Sequence, residues 1–144
     1  MPERQPSDLR GKRVLFADDE LHFIEALLET AKAEGCEVLT CRNASDAIRI
    51  ATTQPIDCLV IDIMMAPGAD LPSVDPQKAG LAAIDAILLK NPKQPIICLS
   101  VISDQSVIHD LKRKNVLFLR KGETSLRKAW QVIESKITGI YRGL

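Results

Sequence analysis

Five short and nearly all-apolar runs punctuate the chain: RVLFA from Arg13, EVLTC from Glu37, DCLVI from Asp57, PIICLS from Pro95 and NVLFL from Asn115. Runs of that length and composition predict strands covered on both faces, as in a parallel sheet. The stretches between them change period. Phe23, Ile24, Leu27, Leu28 and Ala31 form a helical stripe closed by Gly35, and Ala44, Ala47, Ile48 and Ala51 a second that stops before Pro55. Leu81, Ile84, Ile87 and Leu88 predict a third helix ending at Asn91-Pro92. Val107, Ile108 and Leu111 predict a fourth, with Ser103 as its cap. Leu126, Trp130, Ile133, Ile137 and Ile140 or Tyr141 recur at spacings of three and four and predict a fifth, with Trp130 on its core face.

Five strand-then-helix units in a row predict an α/β fold: one doubly wound, five-stranded parallel sheet with helices on both faces. The domain is expected to span 13–144, after a polar tail at 1–12. The segment APGADLPSVDPQKA, from Ala66 to Ala79, carries three prolines and no usable period. A loop this long leans functional or mobile, or else is a tolerated surface insertion, and both readings stay open.

Composition narrows the classes. At 144 residues and 46% hydrophobic, the chain has room for one buried core and not for two. Nineteen basic and nineteen acidic side chains cancel, which argues against nucleic acid or a membrane surface as partner. The basic cluster Lys112, Arg113 and Lys114 reads as a solvated helix end. No apolar stretch has the length of a bilayer span and the N-terminus has no signal-peptide pattern, so a cytoplasmic protein is expected. Cys36, Cys41, Cys58 and Cys98 form no CxxC pair and have no nearby histidines, and read as buried small side chains.

In a doubly wound sheet, sites form beyond the carboxyl ends of the strands. Asp18 and Asp19 follow the first run, Asp62 the third, Ser100 ends the fourth and Lys121 follows the fifth. In the order 2-1-3-4-5 those four strands are neighbours, so the groups converge on one edge. Carboxylates so placed need a compensating cation, and oxygen ligands select a hard ion such as Mg2+. The ion would also draw in a phosphoryl group, with Lys121 and Ser100 to meet its oxygens, a set suited to making an aspartyl phosphate. Singly, each residue has a plainer account: Asp18, Asp19 and Glu20 as caps of the first helix, Asp62 as a turn residue, Lys121 as a solvated lysine.

The quartet VLFADDE, VIDIMMAPG, IICLS and FLRKG resembles, in order, the motifs of the receiver domain of two-component response regulators, a flavodoxin-like fold. The resemblance covers Arg13 to about Tyr141. It implies Asp62 as phosphoacceptor, Asp19 as direct Mg2+ ligand, Asp18 as ligand through water, and the Met64 carbonyl as a further ligand. It also implies Ser100 and Lys121 as phosphoryl-binding groups and Ser100 and Phe118 as the switch pair. The implied partners are a histidine kinase or phosphotransfer protein and a downstream protein still unknown, with a homodimer through the fourth helix, fifth strand and fifth helix as a further option. The chain stops soon after the fifth helix, which reads as a stand-alone receiver without an output domain. Three features depart from the family pattern: Gly122 in place of proline after Lys121, the enlarged loop before Gly80, and Val101 after Ser100, which should narrow access. The competing reading is a pseudo-receiver that acts as a constitutive interaction module. A phosphohydrolase of external substrates is disfavoured, because Met64 stands where such enzymes of similar fold place a second acid.

Overall fold

The computed structural model describes residues 9–140 apart from Ser103. Strands β1 (Arg13–Ala17), β2 (Glu37–Cys41), β3 (Cys58–Ile61), β4 (Ile96–Ser100) and β5 (Leu117–Arg120) alternate with helices α1 (Glu25–Ala33), α2 (Ala44–Thr53), α3 (Ala79–Lys90), α4 (Gln105–Arg113) and α5 (Leu126–Thr138). The strands form one parallel sheet, as the alternation of apolar runs and helical stripes predicts, and their order is the expected β2-β1-β3-β4-β5.

Side chains alternate across the sheet, so each central strand feeds two cores. Leu15, Leu59, Ile61, Ile96 and Cys98 pack with Ile84, Ile87 and Leu111 on one face. Val14, Phe16, Val60, Ile97 and Leu99 pack with Leu27, Trp130 and Ile133 on the other. All four cysteines are buried and outside any disulfide; burial pushes the Cys41 thiol up to about 11 and the Cys58 thiol up to about 12. No helix among the described residues is long and apolar enough to cross a membrane.

Several helix ends differ from the sequence pattern. Phe23 lies in a 3-10 turn, Leu21–Ile24, and is 66% exposed instead of joining the α1 stripe. The cap of α4 is Asp104, whose carboxylate accepts from Ser106 N, while Ser103 lies outside the described residues. Helix α5 ends at Thr138 with Gly139 as its cap, before Ile140, which is exposed; Tyr141 lies outside the described residues. Lys112 and Arg113 do occupy the last turn of α4, and Lys114 just beyond it pairs with Asp85 and Asp110.

The segment 66–79 is held along its length. Ala44 N donates to Ala66 O and Ser45 N to Pro67 O. Ser45 Oγ donates to Pro67 O at 2.8 Å and accepts from Asp70 N at 3.1 Å. Leu71 and Val74 pack against the core, and Asp75 caps a 3-10 turn, Pro76–Lys78, that leads into α3. The segment is therefore an annex of α2 and α3. Two isolated apolar residues and a single turn carry it, too little to make a period.

At the other end of the chain, Leu9 sits within the stretch read as polar tail yet is fully buried in the core that holds Phe16 and Trp130. Gly11 N and Lys12 N close the turn behind it through Gly35 O and Leu9 O. Leu9→Ala should therefore lower stability by about 2–5 kcal/mol, read from the shift in urea midpoint. A change below about 0.5 kcal/mol, the level of an ordinary surface substitution, would mean that residue 9 is not part of the core.

Candidate functional site

Sheet order brings the ends of β1, β3, β4 and β5 side by side, and with them Asp18, Asp62, Ser100 and Lys121. The Lys121 ammonium lies 2.7 Å from Asp18 Oδ2 and 3.0 Å from Asp62 Oδ2. Ser100 Oγ donates to Asp62 Oδ1 at 2.7 Å, and Met64 N donates to the same oxygen at 3.2 Å. Asp18 Oδ1 accepts from Glu20 N at 2.9 Å. Asp18, Asp62 and Ser100 are buried, while Asp19 and Met64 are exposed.

The acids after β1 are not helix caps. Neither the 3-10 turn nor α1 takes a side-chain cap bond. Of these acids Asp18 pairs instead with Lys121, which supplies part of the compensation that the sequence pattern assigns to a metal. Burial works against the Lys121 ammonium, but its hydrogen bonds to Asp18 and Asp62 outweigh that and hold its pKa above the ordinary value. Asp19 gains no such partner. Partial burial, then the nearby charges of Asp18, Glu20 and Asp62, raise its pKa above 3.8, and Lys121 only partly opposes them.

Among the described residues no three acidic, histidine or cysteine side chains form a ready cage for a metal ion. The expected set of Asp18, Asp19 and Asp62 is thus not preassembled, because Asp18 and Asp62 both face the lysine. Such a cage is not required for Mg2+, which keeps several waters and commonly binds through one or two carboxylates plus a phosphate. The donor set fits the ion chemically. Asp18, Asp19 and Asp62 carry three negative charges against one ammonium, an excess that a divalent cation cancels, and every donor, the Met64 carbonyl included, is oxygen.

Lys121 is aimed without a cis peptide. Lys121 N donates to Ser100 O at 2.8 Å, which extends the β4–β5 pairing by one residue, and Gly122 then turns the chain away with φ +87°, a conformation closed to proline. On the other side, Gly80 permits the first turn of α3 to lie against the Asp62 turn. Gly80 N donates to Ile63 O at 2.8 Å, and a Cβ on Gly80 would stand 2.6 Å from Ile63 Cα and still closer to Asp62 O.

A cleft of about 730 Å³ opens beside these groups. Asp19, Asp62 and Lys121 line its polar part, and Phe23, Met64, Pro67, Pro76 and Val101 much of the remainder. The segment 66–79 is a wall of this cleft, and Val101, 58% exposed, stands at its margin. Phe23 escaped the sequence reading because its spacing fits a helix stripe, and Ser45, which fastens the wall, because nothing in a lone serine marks it.

A doubly wound domain with acids, a hydroxyl and a lysine at the carboxyl edge of its sheet has relatives of known family. The profile of the response regulator receiver domain matches residues 14–129, and the chain belongs to that family. A CheY-like receiver domain protein of Methanospirillum hungatei JF-1 superposes with TM-score 0.74 at 14% identity, covering 90% of this chain and 95% of that one. The receiver domain of the sensor histidine kinase PA1611 from Pseudomonas aeruginosa PAO1, described with a magnesium ion in its active site cleft, gives TM-score 0.67 at 21% identity over 90% and 99%. A Burkholderia pseudomallei response regulator described with a phosphorylated aspartic acid, calcium ion and citrate gives 0.67 at 16% over 88% and 66%. No curated protein matches the sequence significantly.

The raised Asp19 pKa has a definite sign in stability. The folded state binds this proton more tightly than the unfolded chain, so ionising Asp19 destabilises the fold as the pH rises past 3.8. Asp19→Asn should therefore raise the urea midpoint at pH near 7 in EDTA. The gain should shrink toward pH about 4, and Mg2+ should narrow it at neutral pH by stabilising the parent. A variant less stable than the parent in EDTA would show that repulsion does not dominate at Asp19.

Proposed function

We propose that the protein is a phosphoacceptor module of a two-component phosphorelay, taking a phosphoryl group on Asp62 from a histidine kinase, a phosphotransfer protein or a small acyl phosphate. The observation that supports this best is the setting of Asp62. Its carboxylate ends a buried strand, faces the cleft, and has the Ser100 hydroxyl and Lys121 ammonium within hydrogen-bond distance.

Asp62 attacks phosphorus with one carboxylate oxygen, and the bond from phosphorus to the donor's leaving atom breaks. Lys121, released from Asp62, meets a phosphoryl oxygen as a point charge, and the Ser100 hydroxyl redirects its hydrogen bond to another. Asp19, Asp18 through water, Asp62 and the Met64 carbonyl would hold Mg2+, which when bound supplies the remaining charge neutralisation. Met64, two residues past Asp62, can neither activate water nor protonate a leaving group, which disfavours turnover of external phosphate esters. A cytoplasmic location accompanies this reading, and four buried cysteines outside any disulfide suit a reducing compartment.

Output would run through Phe118. Its register partner is Cys98, two residues before Ser100, so Phe118 and Ser100 lie on the same face of adjacent strands. Phe118 is part-buried against the core and borders a shallow groove with Ile108, Lys112, Val116 and Lys136. Movement of Ser100 toward phosphate would open room for the Phe118 ring and reshape the α4-β5-α5 surface, where a downstream protein or a second copy would bind.

Incubation with acetyl phosphate and Mg2+ should add the mass of one phosphoryl group to the parent, and to Asp62→Asn none. Equal labelling of both would remove Asp62 from the mechanism, and labelling of neither would favour the constitutive pseudo-receiver. Phe118→Ala should leave labelling of Asp62 intact while abolishing the phosphorylation-dependent NMR shifts of Ile108, Lys112 and Val116. Shifts of parental size in the variant would show that Phe118 is ordinary strand packing.

A further inference from the structure

We infer that the cleft beside Asp62 selects phosphodonors by their leaving group and favours small acyl phosphates with a branched or aromatic acyl part over acetyl phosphate. The selection rests on phosphoryl transfer to Asp62 as proposed above.

Phosphoryl transfer places the attacking and leaving oxygens roughly in line through phosphorus. Asp62 is 5% exposed; Ser100, Lys121 and Met64 N already occupy its carboxylate, and its opening is the cleft. The donor's leaving group therefore lies opposite Asp62, out among the cleft walls. Those walls are largely apolar. Phe23, Met64 and Val101 are 66%, 37% and 58% exposed, and Pro67 and Pro76 join them, while Glu20 and Gln77 are the polar side chains of the lining outside the phosphoryl-binding groups. Apolar side chains gathered in a concavity, unlike ones scattered over a surface, mark a contact site.

The size agrees. At about 730 Å³ the cleft falls inside the range of roughly 300–1,000 Å³ typical of small-molecule sites. An acetyl group would leave most of it to water, whereas an isobutyryl or benzoyl group would reach the walls. The walls are also built before any donor arrives, since Ser45 and the N-terminus of α2 hold Pro67 and Asp70 in place through backbone and hydroxyl hydrogen bonds. A fixed wall can discriminate between donors, because contact with it requires no ordering of the segment.

The step balances without a further reagent. The P–O bond to the acyl oxygen breaks, its electron pair leaves with the carboxylate, and a bond forms from an Asp62 oxygen to phosphorus. No proton changes hands between Asp62 and the leaving carboxylate.

The test uses the full chain with Mg2+ and four donors: acetyl, isobutyryl and benzoyl phosphate, and phosphoramidate, which has no acyl group. Rates of mass gain are compared for the parent and for Phe23→Ser, Val101→Ser and their combination, at exposed positions outside the phosphoryl-binding set. The ratio of the benzoyl to the acetyl rate cancels each donor's intrinsic reactivity when compared between variants. In the double variant that ratio should fall about tenfold, the scale of a lost apolar contact of one or two methylenes, with the phosphoramidate rate unchanged. An unchanged ratio with labelling intact overturns the selection and leaves the phosphoacceptor reading standing. Equal acceleration of all donors would show the walls to be a steric barrier and overturns it too. Failure of every donor to label Asp62 removes both.

Discussion

The Lys121 ammonium between Asp18 and Asp62 is the contact on which the edge of this sheet depends. It lies 103 residues from one partner and 59 from the other along the chain, and both carboxylates are almost wholly buried. Breaking a buried pair by removing one partner leaves an uncompensated charge, worth about 3–5 kcal/mol. The ends of β1, β3 and β5 are therefore held in register by charge as well as by their ladders.

The same lysine explains how a crowded acidic edge stays compact without being neutral. One ammonium satisfies two buried carboxylates and leaves Asp19, outside the pair, to carry the remaining repulsion as a raised pKa. A site built this way holds negative charge in reserve at the exposed side. A hard cation would be drawn to that side under the proposed function, and a phosphoryl group would compete with Asp62 for the lysine and the serine hydroxyl. Lys121 compensates charge within the fold, and the proposed function would give the same side chain a second use, toward an anionic ligand.

Around that centre the protein varies what its fold permits. Similarity to solved receiver domains runs at 14–21% identity with TM-scores from 0.67 to 0.74 for the three described. Apolar patterning that preserves the sheet is compatible with that spread, because a core asks for volume and period more than for particular residues. Close approach asks for more. At Gly80 the first turn of α3 meets the Asp62 turn at a distance that leaves no room for a Cβ, whereas the neighbouring segment 66–79 is fastened to α2 by hydrogen bonds and ends in its own turn.

The five strands, the helices between them and the parallel sheet were legible in the sequence, because the three central strands are short apolar runs buried almost throughout while each helix carries a stripe on one face, so run length and period separate them. The convergence of Asp18, Asp62, Ser100 and Lys121 was legible for the same reason: once the order is known, residues at neighbouring strand ends must meet. What period cannot carry is which partner a charge chooses, or where a stripe residue turns out. Phe23 has the spacing of a core residue, but a 3-10 turn rotates it into the cleft; Leu9 has no periodic neighbours, yet the turn before β1 buries it. The pairing of Lys121 with Asp18 and Asp62, rather than a preassembled metal cage, and the fastening of the 66–79 segment to Ser45 are likewise contacts between residues far apart in sequence. The sequence by itself determined the layers and the set of groups at their edge, since both follow from local alternation of apolar and polar residues. Only the tertiary structure decided the pairings, the wall and the cleft, since those depend on distances of a few ångströms across the fold that no local pattern encodes.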